Sequence, residues 1–220
     1  IDPAFAENQN AVIGRHLEYF FPGRYCRTEI PARLIIPKRE IAVDRLLYIY
    51  LGKAGNLCFP RGDVRRQLGK DVNISIEPCR RDTFPAIALV SAYLHEVRGV
   101  SFDEAVAICP ADPYVDEGYF HAVVQLLQEA EKEGSANLVL MGIEPTYPSE
   151  KYGYIMPVSQ EPQSMVQSFK EKPDKEKAAE YIEQGALWNS GVFAFKLGYA
   201  LGKARELLGY TDYEDLFNRY

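Results

Sequence analysis

Glu77-Pro78-Cys79-Arg80-Arg81-Asp82-Thr83-Phe84-Pro85-Ala86-Ile87-Ala88 holds a strand end, a turn and a helix start in one short run. Just before and into it, Asn73 to Glu77 alternates polar and apolar side chains, the period of a strand with one buried face. Thr83 suits the N-cap of a following helix and Pro85 its first turn, where a missing N–H costs nothing. Ala86 to Val97 is apolar on most sides, so the helix is expected to be well buried.

The same alternation continues toward the carboxyl end. Ala105 to Cys109 is a short continuous apolar run, which fits a central strand, and Pro110-Ala111-Asp112-Pro113 turns the chain at its end. Phe120, Val123, Val124 and Leu127 recur at helical spacing and predict one apolar stripe. Leu138 to Ile143 is the next buried strand. Gly153 to Met156, Val166 to Lys170 and Val192 to Phe195 read as further strands, and Lys175 to Gln184 as a helix ended at Gly185. Strands alternating with helices predict an α/β fold: a doubly wound, mixed but mainly parallel sheet with helices on both faces. Residues 1–66 are broken by Pro22, Pro31, Pro37 and Pro60 and form a divergent amino-terminal segment of unassigned fold. Residues 67–220 read as one α/β domain, continuous with it.

Bulk properties narrow the function. At 220 residues and 47% hydrophobic, the chain can bury a substantial core. Its net charge is -6, with residues 1–70 basic and the remainder acidic, which argues against a nucleic-acid surface. No apolar stretch approaches the ~20 residues of a membrane-spanning helix, and the start lacks the pattern of a secretion signal. Cys26, Cys58, Cys79 and Cys109 show no C-x-x-C spacing, so neither a zinc site nor a disulfide framework is suggested and a reduced, cytoplasmic setting is expected. His16, His95 and His121 share no motif, and no Walker-type, G-x-S-x-G or H-E-x-x-H pattern occurs.

The polar residues that remain sit where an α/β sheet collects ligands, just past the carboxyl ends of predicted strands. Asp112 ends a buried strand, where an ionised carboxylate needs a cation or donors; an Asx-type turn before Pro113 is the plainer reading. Glu171-Lys172-Pro173 offers an acceptor and an ammonium, or simply an exposed ion pair. In Trp188-Asn189-Ser190-Gly191, read as a turn before the strand Val192 to Phe195, Asn189 carries a donor and an acceptor suited to vicinal hydroxyls. Trp188, the sole tryptophan, favours core packing over a stacking platform.

In this order the segments resemble the sugar-1-phosphate nucleotidyltransferases, most closely the mannose-1-phosphate guanylyltransferases, over about residues 67–196. The resemblance implies a nucleotide-diphospho-sugar transferase-like fold and transfer of GMP from GTP to mannose-1-phosphate, giving GDP-mannose and pyrophosphate. It places Arg81, Asp82, Thr83, Pro85 and Ala86 around guanine, and Gly153, Glu171, Lys172 and Asn189 around the sugar phosphate. Asp112 and Lys172 become the catalytic pair, with Asp112 holding Mg²⁺ or another divalent metal. Small-molecule substrates are then the implied partners, with no nucleic acid and no membrane, and a homo-oligomer is compatible with the pattern. Two expected parts are missing: an opening glycine-rich loop, and a second metal aspartate beyond Lys196, whose context neither Asp212 nor Asp215 matches. Three readings stay open: a guanylyltransferase that is divergent, truncated or altered, active or inactive as this chain; a non-catalytic nucleotide-sugar-binding module; and a related pyrophosphorylase for another base or hexose.

Overall fold

The computed structural model describes residues 11–16, 32–37, 47–50, 73–79, 81–110, 115, 117–134 and 136–220. The chain divides into two compact units. One comprises Ile1, Arg24–Pro113 and Lys196–Tyr220; the other comprises Asp2–Gly23 and Tyr114–Phe195.

In the first unit, strands β2 (Ala32–Pro37), β3 (Leu47–Tyr50), β4 (Asn73–Ile76) and β5 (Ala105–Pro110) lie in the order β4-β3-β2-β5. β3 and β4 run parallel, and β2 is antiparallel to both β3 and β5. Residues Ala105 to Cys109 are all buried, as their unbroken apolar run predicts. Helix α1 (Thr83–Ala92) follows β4 and is buried at Phe84 and at every position from Ala86 to Ala92. Each large apolar side chain in it, such as Ile87 or Leu89, contributes about 1.5–3 kcal/mol by leaving water. The N-cap is Asp82 rather than Thr83: the Asp82 carboxylate accepts from the Thr83 N–H at 2.7 Å, so Thr83 is already the first helical residue. The charged carboxylate takes the cap and leaves Pro85 inside the first turn, where its ring is harmless. The helix continues as a π-helical turn over Tyr93–Val97.

Within that unit, helix α4 (Leu197–Leu208) and the short helix α5 (Tyr213–Arg219) complete the packing. Leu197, Ala200, Leu201 and Ala204 form the buried stripe of α4 at helical spacing. Its first N–H groups find partners in the loop before β5: Leu197 N donates to Glu104 O at 2.9 Å and Gly198 N to Phe102 O at 2.8 Å. A Cβ on Gly198 would sit 3.1 Å from that Phe102 oxygen, so a glycine is what permits the approach. α4 ends at Gly209 (φ 61), and Arg219 of α5 donates back to the carbonyls of Leu208 and Gly209 at 3.1 and 3.0 Å.

In the second unit, β1 (Ala11–His16), β6 (Leu138–Ile143), β7 (Tyr154–Pro157), β8 (Gln163–Lys170) and β9 (Leu187–Lys196) take the order β9-β6-β1-β8-β7. β1 and β6 are parallel and the other ladders antiparallel, with β7 also pairing to β9 through Tyr154–Trp188 and Ile155–Leu187. β6 and β7 are buried throughout. The result is the expected α/β architecture with a mixed sheet, but in each unit the described antiparallel ladders outnumber the single parallel one, so the sheet is not the mainly parallel one that strand–helix alternation predicts. Helix α2 (Glu117–Glu131) covers part of it, but its buried face is Tyr119, Val123, Leu126, Leu127 and Ala130, while Phe120 is 49% exposed. The predicted stripe is therefore rotated by about one residue, because Tyr119 takes the inward position that Phe120 also fitted. Helix α3 (Lys175–Glu183) starts at its N-cap Asp174 and stops before Gly185 (φ 82). No helix among the described residues is long and apolar enough to cross a membrane.

Candidate functional site

The residues expected on the sugar side all belong to the second unit, and three of them meet. Gly153 precedes β7, Glu171 follows β8, and Asn189 lies in β9. An ideal Cβ on Gly153 would lie 3.0 Å from Glu171 Oε2 and 3.7 Å from Asn189 Cβ. The carboxylate thus overhangs the bare α-carbon of Gly153, beside Asn189. The backbone ties two of them directly, since Asn189 N donates to Gly153 O at 2.8 Å.

Trp188 to Gly191 is part of β9, not a turn ahead of it. Opposite β6, Asn189 pairs with Gly142 and Phe193 with Leu140, so Ser190, Gly191 and Val192 face Met141 alone. This is a bulge, and Gly191 (φ 75) supplies the left-handed backbone that it requires. Ser190 closes it: its hydroxyl donates to Met141 O at 2.7 Å and accepts from Val192 N at 3.1 Å. Asn189 Oδ1 accepts from Gly191 N at 3.0 Å. The side-chain carbonyl is therefore engaged by the bulge, and the amide nitrogen is left to serve as donor.

Lys172 pairs with Glu171 Oε1 at 3.2 Å, with both side chains more than 60% exposed. It has φ 40, the one positive φ outside glycine among the described residues, and it precedes Pro173. Backbone strain of this kind concentrates at functional positions. Trp188 is 4% exposed and packs against the rings of Tyr147 and Tyr152 at 5.1 and 4.9 Å, so it belongs to the core as expected. Its indole N–H has no hydrogen-bond partner among the described residues.

Two supports escaped sequence reasoning. The buried Tyr154 hydroxyl donates to Ser149 O at 3.0 Å and accepts from Ser149 N at 2.9 Å, pinning the loop that carries Gly153. The signal available was the spacing of Ser149 and Tyr154 across a polar loop, which fixes no geometry by itself. Ser190 was likewise visible only as a neighbour of Asn189.

The residues expected on the nucleotide side belong to the first unit. Asp82 caps α1, Thr83 opens it, Pro85 lies in its first turn and Ala86 is buried. Arg81 is exposed, and its Nε donates to the main-chain oxygen of Tyr220 at 2.8 Å. Asp112, with Ala111 and Pro113, lies outside the described residues. Among the described residues, no three His, Cys, Asp or Glu side chains converge. Asp212 and Asp215 act as caps: Asp212 Oδ1 accepts from Asp215 N at 2.9 Å, and Asp215 accepts from Thr211 N at 3.0 Å and pairs with Arg219 at 3.1 Å. The Thr211 N–H is the main reason that the Asp215 carboxyl is held below the ordinary aspartate value, with Arg219 assisting against slight desolvation.

Comparison with known proteins gives the family. The chain is 36% identical over 151 residues to the xanthan biosynthesis protein XanB of Xanthomonas campestris pv. campestris (strain B100), covering 67% of this chain and 31% of that protein. It is 37% identical over 150 residues to the mannose-1-phosphate guanylyltransferase of Escherichia coli (strain K12), covering 64% and 31%. The alginate biosynthesis protein AlgA of Pseudomonas aeruginosa is 38% identical over 130 residues, 56% of this chain and 26% of that one. The chain thus spans about a third of the length of the curated relatives it matches. A solved structure described as a mannose-1-phosphate geranyltransferase from Thermus thermophilus superposes with a TM-score of 0.60 at 28% identity, over 78% of this chain and 52% of that one. A mannose-6-phosphate isomerase from Helicobacter pylori, at 21% identity and a TM-score of 0.57 over 72% and 59%, shares the fold. A family model described as nucleotidyl transferase matches residues 49–216, wider on both sides than the span the motifs alone mark out. On that match, over most of its length, the chain belongs to the nucleotidyl transferase family.

Proposed function

We propose that this chain carries the nucleotide-side and sugar-side elements of a mannose-1-phosphate guanylyltransferase, joining GTP and mannose-1-phosphate into GDP-mannose and pyrophosphate. The observation that carries the reading is the meeting of Glu171, Gly153 and Asn189, an acceptor and a donor over a glycine too small to block a hydroxyl. Relatives that include mannose-1-phosphate guanylyltransferases support the choice of hexose and base.

In the proposed reaction, a phosphate oxygen of mannose-1-phosphate attacks the α-phosphorus of GTP. The new P–O bond forms as the α–β anhydride bond breaks, and the electron pair leaves with pyrophosphate. No covalent enzyme intermediate is needed, so the chain's contribution is position and charge. Glu171 accepts from sugar hydroxyls, Asn189 donates to one, and the Gly153 main chain comes close to another. Lys172 leaves its exposed pairing with Glu171 to meet the sugar phosphate, where a charge-assisted bond is stronger. The turn from Arg81 to Ala86 receives guanine. Mg²⁺ is proposed at Asp112, where it would neutralise phosphate charge when bound. Exposed Cys79 is a free thiol, and a reducing, cytoplasmic setting is proposed.

The test is pyrophosphate release from GTP, Mg²⁺ and mannose-1-phosphate, run beside calorimetry with GDP-mannose. Release specific to GTP in a panel of four triphosphates supports the reading. Binding without release replaces it with a non-catalytic nucleotide-sugar module, and release with another triphosphate reassigns the base.

A further inference from the structure

The nucleotide-side turn is closed by a residue far along the chain. Three of its polar groups meet Tyr220, the residue after α5. Cys79 Sγ donates to the Tyr220 main-chain oxygen at 3.2 Å, and Arg81 Nε donates to that oxygen at 2.8 Å with Nη2 alongside. The Tyr220 hydroxyl donates to Glu77 Oε1. That same carboxylate oxygen accepts from the Arg81 N–H at 3.2 Å. Glu77 is only 3% exposed, and a buried carboxylate needs such donors. The Arg81 guanidinium also lies 5.9 Å from the centroid of the Tyr220 ring.

The segment that delivers Tyr220 is itself held. Tyr213 N donates to Glu96 Oε2 at 2.5 Å, the Tyr213 ring lies 5.6 Å from that of Tyr93, and Arg219 is tied to the end of α4. Tyr220 therefore reaches Glu77 from a fixed base. Burial, followed by the adjoining Glu77 carboxylate, raises the Tyr220 phenol above its ordinary range, so it keeps its proton to donate.

We propose that Tyr220 is a positioning residue for the nucleotide-side turn, its hydroxyl fixing Glu77 and Glu77 fixing the Arg81 amide. Arg81 then serves the nucleotide through the main chain of its turn, and its guanidinium anchors Tyr220 and makes no contact with the base. The consequence for binding rests on the nucleotide-side reading given under Proposed function. The hold on the turn does not.

Tyr220→Phe removes only the hydroxyl and separates these two levels. Hydrogen exchange at the Arg81 amide should rise about tenfold, the scale of one bond to a charged group. The dissociation constant for GTP should weaken by a similar factor, roughly tenfold, while that for mannose-1-phosphate stays within about twofold. Glu77→Gln, whose amide oxygen still accepts, should restore much of what Glu77→Ala loses, and it carries the test if Tyr220→Phe does not fold. Unchanged GTP binding in Tyr220→Phe overturns the proposal and leaves the proposed function standing. If the unaltered chain binds no GTP, the functional reading falls. The exchange data then decide the hold alone: an unchanged Arg81 amide overturns it and a faster one supports it.

Discussion

Replacing Lys172 by glycine should leave the protein more stable than replacing it by alanine, the reverse of the order at an ordinary position. The φ of Lys172 is 40, and the left-handed region costs a residue with a Cβ about 1–2 kcal/mol. Pro173 adds its own restriction on the residue before it. Glycine removes the steric term but loses about 0.5–1 kcal/mol more chain entropy on folding. Both variants lose the exposed pairing with Glu171, worth about 0.2–1 kcal/mol, so that contribution cancels in the comparison. Lys172→Gly should therefore exceed Lys172→Ala by about 0.75 kcal/mol at the middle of these ranges, or roughly 1.5–3 °C in Tm for a chain of this size. Scanning calorimetry of the pair reads this directly. Titration with mannose-1-phosphate should show both variants weakened alike, since both lack the ammonium. Alanine equal to or above glycine in Tm would refute strain at this position, and with it the view that the loop holds Lys172 against its backbone preference.

Gly153→Ala places a Cβ 3.0 Å from Glu171 Oε2, the tip of an exposed side chain, so stability should change by less than about 0.5 kcal/mol while mannose-1-phosphate affinity falls; melting and calorimetry together check it. Leu140→Ala, at a fully buried site in β6, should cost about 2–5 kcal/mol in urea unfolding without altering the spectrum of the folded state. Asp215 has its folded pKa below the ordinary 3.8, so its contribution is present above that value and lost as pH falls through the lower, folded one. Asp215→Asn should therefore flatten the dependence of Tm on pH in the region below about 4, and an unchanged acid limb would remove Asp215 from that role.

Much of the fold is legible in the sequence because burial imposes simple patterns. Ala105 to Cys109 and Leu138 to Ile143 are unbroken apolar runs, and both are strands buried along their length. The rotated face of α2 shows where periodicity stops: Tyr119 and Phe120 are adjacent aromatics, each compatible with Val123 and Leu127, and only packing against β6 and β1 chooses between them. Trp188 to Gly191 misled for a different reason. Glycine with a positive φ serves a turn and a bulge equally well, and the distinction lies in the partner strand, where Met141 faces three residues. The clasp between Glu77 and Tyr220 spans 143 positions, and no local pattern encodes it.

The proposed sugar cradle divides its polar work between a rigid half and an exposed half. Asn189 is fixed by its main chain to Gly153 and by its side-chain oxygen to Gly191, so its orientation is set by the β6–β9 register and by the bulge that Ser190 closes. Glu171 stands largely in solvent, held from below only by the absence of a side chain on Gly153 and from the side by an exposed lysine. A vicinal pair of hydroxyls needs at least one acceptor and can use a donor, and a cradle whose donor is fixed reads where that hydroxyl sits. The acceptor can then adjust, since a carboxylate offers two oxygens and several lone pairs. Discrimination among hexoses should accordingly reside in the bulge of β9 more than in Glu171, whose charge supplies affinity to any sugar presenting a hydroxyl pair there.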